Sequence, residues 1–431
     1  MRPPPERGQR YPRNSSPRNS LTWLSGLLVS AGAVTAWGAS ENGVDAPESR
    51  PGNPPIRQST HPAAKLAFSG AEGFARFATG GTGGEIYHVT TLADSGPGSL
   101  RDAVSAGHRI VVFDVGGYIA LNSVLRMASD ITIAGQTAPG EGVATRNYEV
   151  SFTEVTNAVV RYIRFRQGIT PGQNKKSAVN ITRARDLMFD HVSIEWGRWD
   201  TVDMNESANV TFQNCILGEG VPPQQFGCLC QCDNVTFSHD LFINNHSRKP
   251  KAKGTIQYVN NVVYNWGVVG LVGGHSETNH FLDVIGNYFV AGPNSRGNFV
   301  GEFRATDHVF QSGNYVDLNR DGQLNGRLVV ADDFGKGDNA PTFSEGSAVG
   351  APLNVTMEPA AVAWSNVIAH AGCSRHRDAI DQRMIADAQS LGTQGKIIDD
   401  PAQVGGYGEL KEARVAAPLK DGEVAKFLDA P

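Results

Sequence analysis

Four positively charged side chains fall within six consecutive positions of a short stretch, RKPKAK. They are Arg248, Lys249, Lys251 and Lys253, and Pro250 divides them. The whole chain is acidic, with 38 Lys and Arg against 43 Asp and Glu, so the general composition does not explain the cluster. Cations grouped in this way suit a polyanionic ligand, or a reaction in which negative charge develops. A solvated turn that carries like charges is the alternative interpretation.

Six segments in the middle of the chain share one pattern, in which an alternating apolar strand is followed by a polar residue and a second short apolar strand. The polar residues are His191, Asn214, His239, Asn261, Asn287 and Asn314, at separations of 23, 25, 22, 26 and 27 positions. Such spacing between strands indicates a β-solenoid, whose stacked coils share one core. Asn tolerates the left-handed backbone of a tight corner, and its amide can bond to the next coil. A flat two-sheet sandwich would not need a polar residue at one phase of every repeat.

The chain divides into four predicted regions. Residues 1–39 combine five arginines with an apolar run and predict a secretory signal, hence an extracellular protein with no membrane anchor after cleavage. Residues 40–64 are polar and Pro-rich and predict a disordered linker. The β-solenoid is expected over 65–373, followed by a helical or irregular tail over 374–431. Loss of residues 1–39, with five Arg and one Glu, would change the net charge from −5 to −9.

Short helices are expected at both ends of the solenoid, where strand edges would otherwise be exposed. Ser99 is placed to cap a short helix, SLRDAV, at the N-terminal end. At the other end, RDAIDQRMIADAQSLG predicts a helix that covers the C-terminal side. Its apolar face consists of Ile380, Met384, Ile385 and Ala388.

Five cysteines suit an exported protein with one or two disulfides and one thiol left over. Cys228, Cys230 and Cys232 alternate in CLCQC, so on a strand all three would share one face. No His lies at ligand spacing beside them, so a disulfide or simple packing is favoured over a metal site. Glycosylation sequons begin at Asn180, Asn205, Asn209, Asn234, Asn245 and Asn354.

Five segments occur in order over residues 66–330: AFSGAEGFARFATGG, GGEIYHVTTLADSGPGSLRDAV, ITIAGQTAPG, FDHVSIEWG and VNNVVYNWG. Together they resemble the pectate lyase superfamily, polysaccharide lyase family one, and within it the secreted microbial branch. The resemblance implies a right-handed, single-stranded parallel β-helix that cleaves (1→4)-α-D-galacturonan by β-elimination. The implied partner is an acidic plant cell-wall polysaccharide, bound along one side of the helix of a monomeric enzyme.

The cation cluster matches the chemistry that this resemblance implies. The proton removed in β-elimination lies alpha to a carboxylate, whose charge must be neutralised by a metal, Lys or Arg. In the family, an Arg-x-Pro-x-x-Arg segment supplies the catalytic base and, five residues on, a substrate cation. Arg248 is therefore the implied base, Lys253 replaces the second Arg, and Lys249 and Lys251 are expected to bind substrate too. Because the pKa of Arg normally exceeds ~12, such a base needs desolvation and neighbouring cations.

The resemblance also implies Ca²⁺ as a cofactor, held by acidic side chains of two neighbouring coils. RWDTVDM supplies Asp200 and Asp203 for the later coil, and Asp203 is the closer match to the family's spacing. The earlier coil carries Asn180 and Thr182 where carboxylates are usual. Since Ca²⁺ prefers several oxygens and some negative charge, we expect a weak site, or one that substrate completes.

A second predicted calcium site is the EF-hand-like loop 317–328, YVDLNRDGQLNG in its context. Its candidate ligands are Asp317, Asn319, Asp321 and Gln323, which alternate as in the first half of an EF-hand loop. The twelfth position is Leu328 rather than Glu, and the flanks resemble strands rather than helices. Some fungal pectate lyases resemble this chain in carrying such a stretch. An Asx-rich turn without metal is the alternative.

Other functions fit parts of the sequence. If protein cations replace Ca²⁺, the enzyme would be a calcium-independent pectin lyase acting on methylated pectin. A polygalacturonase needs paired carboxylates, and the nearest segment, VGGHSETNH with His275 and His280, lacks them. A non-catalytic polysaccharide-binding β-helix would explain the fold but not the Pro-spaced frame around Arg248. Nucleic acid is not expected as a partner, because the mature chain is acidic and its basic stretch is short.

Overall fold

The computed structural model describes residues 65–429, and the predicted signal (1–39) and linker (40–64) lie outside the described residues. The strands are β1 Glu85–Val89, β2 Arg109–Phe113, β3 Val115–Ala120, β4 Leu125–Arg126, β5 Ile131–Ala134, β6 Val143–Arg146, β7 Val150–Ser151, β8 Thr156–Arg161, β9 Ile163–Arg166, β10 Val179–Thr182, β11 Arg185–Asp190, β12 Ser193–Glu195, β13 Asp200–Gln213, β14 Ile216–Gly218, β15 Phe226–Ser238, β16 Leu241–Ile243, β17 Lys251–Val259, β18 Val262–Tyr264, β19 Val269–Val272, β20 His280–Ile285, β21 Tyr288–Val290, β22 Asn298–Gly301, β23 Asp307–Ser312, β24 Tyr315–Asp317, β25 Arg327–Leu328, β26 Thr342–Phe343 and β27 Ala413–Arg414. The α-helices are α1 Leu100–Ala103, α2 Ala360–His370, α3 Ala379–Gln389 and α4 Asp421–Asp429, and 3-10 helices occupy Gly135–Thr137, Ala331–Phe334, Gly337–Asn339 and Pro401–Val404.

The strands stack into the predicted parallel β-helix, whose coils have three faces. The front face contains β4, β7, β10, β19, β22 and the first parts of β13, β15 and β17. The middle face contains β1, β2, β5, β8, β11, β20, β23, β26 and the second parts of β13, β15 and β17. The rear face runs from β3 through β6, β9, β12, β14, β16, β18 and β21 to β24. Register shifts in β13 and β15 mark the bend between the front and middle faces.

Alternate residues of each strand point inward and stack on the same position of the next coil. Phe212 stacks on Phe189 with ring centroids 4.7 Å apart, and on Phe237 at 5.5 Å, close to the ~4.8 Å spacing of neighbouring strands. The inward positions of CLCQC in β15 are cysteines, and all five cysteines of the chain are buried free thiols. The disulfide expectation is therefore wrong, whereas simple packing of the thiols is confirmed.

The corner between the middle and rear faces uses two adjacent positions, which the sequence pattern merged into one. The first position holds left-handed residues: His191, Asn214 and His239, with φ of 55°, 52° and 57°, and Asn260 in the next coil. The second holds Asp240, Asn261, Asn287 and Asn314, whose side chains form a ladder. The Asn314 Oδ1 accepts from the backbone N–H of Asn287 at 2.9 Å, which satisfies a buried amide at each corner.

Helices cover one end and one side of the solenoid. Ser99 caps α1 by accepting from the Asp102 N–H at 3.2 Å, and Leu100 is buried over the N-terminal end, as predicted. The apolar face of α3 is also buried as predicted, but it packs on the outside of the rear face and not over the C-terminal end. The reason is that outward residues of the rear face, such as Leu241 and Val262, are apolar and need a cover. Within residues 65–429, no helix is long and apolar enough to cross a membrane.

Candidate active site

Arg248 lies in the turn that leads into the front-face part of β17. Its backbone has a φ of 60°, and its side chain is 23% exposed. The Nη1 atom donates to the two carboxylate oxygens of Asp200, at 3.1 and 2.9 Å. The guanidinium carbon lies 4.2 Å from the ring centroid of Phe226. Because Asp200 and Phe226 begin paired strands of the two preceding coils, the stacked coils fix the position of this guanidinium.

Lys251 and Lys253 project outward from the same face, because the residue between them, Ala252, points into the core. The Lys251 Nζ lies 3.1 Å from the His275 Nδ1 and 3.7 Å from the Glu302 Oε2. Burial lowers the pKa of Lys251; Glu302 opposes this shift, whereas the positive charges of Arg248 and Lys253 add to it. The structure thus brings Arg248, Lys251 and Lys253 together, as the sequence predicts.

Lys249 does not belong to this group. Its side chain is fully buried, and the Nζ donates to the backbone carbonyls of Asn245 at 2.6 Å and Asn265 at 3.3 Å. Burial lowers its pKa well below the ordinary value. The prediction that Lys249 binds substrate is therefore wrong, because the left-handed turn at Arg248 directs the next side chain into the solenoid.

The two aspartates predicted to hold a metal lie beside Arg248 on β13. Asp200 is fully buried, and this burial raises its pKa to about 7, with Arg248 opposing the shift and Asp203 adding to it. Burial also raises the pKa of Asp203, although its carboxylate accepts from the Asn205 Nδ2 at 2.6 Å. Asp200 is buried and Asp203 is half-buried, and a cation between two neighbouring carboxylates would relieve the repulsion between them.

The coil that precedes β13 carries amide and hydroxyl oxygens in place of carboxylates. Asn180 pairs directly with Asp203 across the front face. Its Oδ1 accepts from the hydroxyls of Thr153 at 3.0 Å and Thr182 at 3.2 Å. The predicted adjacency of the two coils is therefore present, with one amide oxygen next to one aspartate.

Glu149 is a further carboxylate near this site that sequence reasoning missed. Its pKa is raised by burial, Lys176 at 3.4 Å lowers it, and the charge of Asp203 contributes to the rise. No motif surrounds Glu149, and only the spacing of successive coils relates it to Asp203. Phe226, the ring under Arg248, was missed for the same reason.

These donors suit a hard cation only in part. Glu149, Asp200, Asp203 and Asn180 offer carboxylate and amide oxygens, the ligands that Ca²⁺ prefers. Asp200 is occupied by Arg248, however, and Glu149 by Lys176. In the described range 65–429, no three Asp, Glu, His or Cys side chains are grouped so that they could hold a metal. A calcium ion here would therefore need further oxygens, from substrate or water.

The EF-hand-like loop connects β24 to β25, two antiparallel strands, so its flanks are strands as expected. Asp317 Oδ2 accepts from the Asn325 N–H at 3.1 Å, and Asp321 Oδ2 accepts from the Asn319 and Asn325 side chains at 3.1 and 2.8 Å. Gly322 has a φ of 79° at the sharp turn. Two aspartates and two asparagines thus converge, and Asn325 was missed by the sequence analysis. The Gln323 side chain is exposed, and only its backbone contacts the group: its N–H donates to Asp321 at 2.9 Å, and its carbonyl accepts from the Asn325 N–H at 3.1 Å.

Known proteins provide an independent comparison. No protein-family model matches the chain. It is 41% identical over 361 residues to a probable pectate lyase C of Neosartorya fischeri, covering 83% of this chain and 84% of that protein. It is 42% identical over 352 residues to a probable pectate lyase C of Aspergillus terreus, covering 80% and 83%.

Solved structures agree on the fold. The thermostable pectate lyase PL 47 superposes with a TM-score of 0.53 at 12% identity, over 73% of this chain and 99% of that one. The cedar pollen allergen jun a 1 superposes with a TM-score of 0.50 at 17% identity, over 70% and 92%. At the identity and coverage of its fungal relatives, the chain belongs to the pectate lyases of polysaccharide lyase family one, alongside proteins described as probable pectate lyase C.

Proposed function

We propose that this pectate lyase is a secreted, calcium-dependent enzyme that cleaves (1→4)-α-D-galacturonan by β-elimination, with Arg248 as the base. The observation that carries the proposal is the common position of Arg248, Lys251 and Lys253 on the front face of the β-helix. Secretion rests on the signal predicted in residues 1–39, and action as a monomer rests on the family resemblance.

The lysines act on the charge of the substrate. A uronate carboxylate placed against Lys251 and Lys253 loses much of its negative charge, which makes the proton alpha to it more acidic. Lys253 carries one charge without the planar fork of Arg, so its contact with the carboxylate is less directional. Lys251 is held by His275 and Glu302, which fixes its ammonium on the front face.

Arg248 takes the proton from the carbon next to the carboxylate. The electrons of that C–H bond form a carbon–carbon double bond, and the glycosidic oxygen leaves with the electrons of the broken C–O bond and gains a proton from water. The product is an unsaturated uronide at the new non-reducing end. Arg248 can accept a proton only after it has lost its own, so its contact with Asp200, which favours the charged guanidinium, has to weaken first.

Asp203, Asn180 and Asp200 are the residues that would hold Ca²⁺ at the active site, with substrate oxygens completing the coordination. When bound, the ion supplies a further positive charge to the substrate carboxylate. Because Asp200 is also the partner of Arg248, any ligand that engages Asp200 reduces its hold on the guanidinium. The loop with Asp317, Asn319, Asp321 and Gln323 would hold a second, structural calcium, for which Asn325 is a more suitable side-chain donor than Gln323.

A calcium-independent pectin lyase is the second candidate, and the specific observation in its favour is Asn180 in place of a carboxylate beside Asp203. Methylated pectin carries fewer charged carboxylates, so Lys251 and Lys253 could neutralise its charge without a metal ion. The two candidates differ in whether activity requires calcium, and the following experiment measures that requirement.

The test is the ultraviolet absorbance of unsaturated uronides released from polygalacturonate by the purified protein, with calcium and then with chelator. A rise that chelator stops supports the calcium-dependent lyase. A rise that chelator leaves unchanged, and that is faster on methylated pectin, overturns calcium dependence in favour of the second candidate. No rise on either substrate overturns the lyase assignment and leaves a binding-only β-helix.

A further inference from the structure

An open groove of about 710 Å³ runs along the corner between the middle and rear faces. Because each coil passes from the front face to the middle face and then to the rear face, this corner lies on the opposite side of the solenoid from Arg248. Corner residues of four successive coils form its floor: Tyr162, His191, Asn214 and His239. Its volume lies within the ~300–1,000 Å³ usual for ligand sites.

The groove exists because two covering segments stop short of each other. On one side, the N-terminal segment packs Phe68 and Ala75 against Met188 on the outside of the middle face. On the other side, α2 packs Val367 and Ile368 on the outside of the rear face. The walls are therefore Glu72 from the first segment, and His370 and Arg375 from the end of α2 and the turn that follows.

Two imidazoles on the floor of the groove are held in fixed positions. His191 stacks on Tyr162 with ring centroids 4.6 Å apart, and the Arg375 guanidinium lies 4.9 Å from the Tyr162 centroid. The His191 Nδ1 lies 2.9 Å from the Asp190 Oδ1. The His239 Nε2 lies 3.3 Å from the Glu358 Oε2. These contacts orient His191 and His239, and His370 lines the same space.

The charge of the groove depends on these histidines. Asp190 is offset by Arg161, whose Nε lies 2.7 Å away. Glu72 and Glu358 carry two negative charges, and Arg375 and Arg377 carry two positive charges. The formal charges around the groove therefore sum to zero when the imidazoles are neutral. Protonation of the three imidazoles leaves three positive charges on an otherwise acidic protein. Burial lowers the pKa of His370, and the charges of His191, Arg377 and His239 lower it further.

An anion in the groove would relieve this repulsion, and the remaining polar groups indicate which kind of anion. Asn214 and Ser374 also line the groove and can bond to hydroxyls. A ligand with both carboxylates and hydroxyls uses both sets of groups, whereas a simple inorganic anion uses only the cations.

We propose that this groove is a second binding site for acidic oligosaccharides, which engages their carboxylates when its histidines are protonated. The choice of a uronide as ligand rests on the function proposed above, whereas the affinity of the groove for anions does not. The site is separate from the catalytic face, so the enzyme would bind fragments of its polymer on the side opposite Arg248 as the medium becomes acidic.

The experiment is a calorimetric titration of the full chain carrying Arg248→Ala with trigalacturonate at pH 5.5 and 7.5. Two changes are added separately in the groove, His370→Gln and Arg375→Gln, and Lys253→Gln is the matched control on the catalytic face. We expect two classes of sites. From pH 5.5 to pH 7.5, the affinity of one class for trigalacturonate should fall about tenfold for each imidazole whose protonation is needed for binding. That class should weaken at least tenfold in both groove variants and be unchanged by Lys253→Gln. A single class of sites, or a pH-dependent class that ignores both groove changes, overturns the proposal.

Two further measurements separate this site from the lyase activity and from a general anion site. In imidazole NMR spectra, trigalacturonate should shift the titration of His370 to higher pH, and an unmoved titration overturns the site even if a variant misfolds. Inorganic phosphate should bind at least tenfold more weakly, and equal binding of phosphate overturns the oligosaccharide assignment. Absence of unsaturated product from the wild-type chain would overturn the proposed function and leave the groove result intact.

Discussion

One guanidinium nitrogen of Arg248 donates to both carboxylate oxygens of Asp200, so the proposed base and a proposed calcium ligand share one ion pair. Asp200 is fully buried, whereas the Arg248 side chain reaches the surface of the front face. A buried carboxylate that loses its partner costs free energy unless another cation replaces it. The pair therefore connects the state of the metal site to the freedom of the guanidinium.

The first prediction is that Arg248→Lys abolishes turnover while sparing the fold. Lys keeps a positive charge near Asp200 but cannot place a nitrogen where the guanidinium lies over Phe226. Loss of a positioned base should lower kcat about 10²–10⁴-fold. The measurement is the rate of unsaturated product formation, with circular dichroism as the check on folding. Arg183→Lys, in the exposed pair with Glu154, is the control and should be fully active. A folded Arg248→Lys protein with normal kcat would remove Arg248 from the mechanism.

The second prediction concerns the substitution of Lys for Arg in the substrate frame. Lys253→Ala should raise KM for polygalacturonate about tenfold, since one charge-assisted contact contributes roughly 1.5 kcal/mol. Lys253→Arg should lower KM, because the fork binds a carboxylate through two parallel bonds. The comparison is made by steady-state kinetics, with the exposed Lys336→Ala as control. Equal KM values for the wild type, Lys253→Ala and Lys253→Arg would mean that Lys253 does not contact substrate.

The outcome at Lys249 indicates what sequence reasoning could and could not provide for this site. Charge density and the family frame grouped Lys249, Lys251 and Lys253 without distinguishing the directions of their side chains. In the structure β17 begins at Lys251, so alternation puts Lys251 and Lys253 on one face with Ala252 buried between them, whereas Lys249 lies in the preceding turn. Glu149 is brought near Asp203, and Phe226 to Arg248, only by the stacking of coils, which a single sequence does not align.

The fold itself could be predicted further than the site because each coil repeats the same physical requirement. Corner residues recur where the backbone must turn. This period indicates a solenoid, although it does not fix which residues pair between neighbouring coils. The position of α3 could not be predicted in this way. Rear-face strands are buried on both sides, so their sequence does not tell whether a helix or another coil covers them.

The third prediction is that calcium stabilises the protein through the loop between β24 and β25. At about 100 times its dissociation constant, calcium should add about 2.7 kcal/mol to the free energy of unfolding. Asp321→Ala should remove this gain, because Asp321 lies at the centre of the convergent group. Thermal unfolding with calcium and with chelator measures the effect, and Asp332→Ala, an exposed aspartate outside the loop, is the control. If the loop binds no metal, calcium will leave the Tm of both variants and of the wild type unchanged.

The fourth prediction follows from the buried charges that attach the C-terminal tail to the rear face. Asp378, at the start of α3, receives an Nη2 bond from Arg166 at 3.0 Å. Burial alone would raise the pKa of Asp378, but Arg166 and Arg164 hold this pKa well below its usual range. A lowered folded-state pKa means stabilisation that is complete above the unfolded value of ~4 and is lost as the pH falls toward the folded value.

Asp378→Asn should therefore lower the free energy of unfolding by about 3 kcal/mol at pH 7, because the buried Arg164 and Arg166 then have only Asp381 and Glu195 to balance their charges. Asn still caps α3, where the Asp378 Oδ1 accepts from the Asp381 N–H, so the change tests the charge and not the cap. The difference from wild type should stay constant above pH 5 and shrink as the pH falls below ~4. Urea unfolding at a series of pH values measures it, and the exposed Asp332→Asn should show little change throughout. A difference that does not shrink at all between pH 5 and pH 2 would show that the loss comes from altered packing of the tail and not from the charge of Asp378.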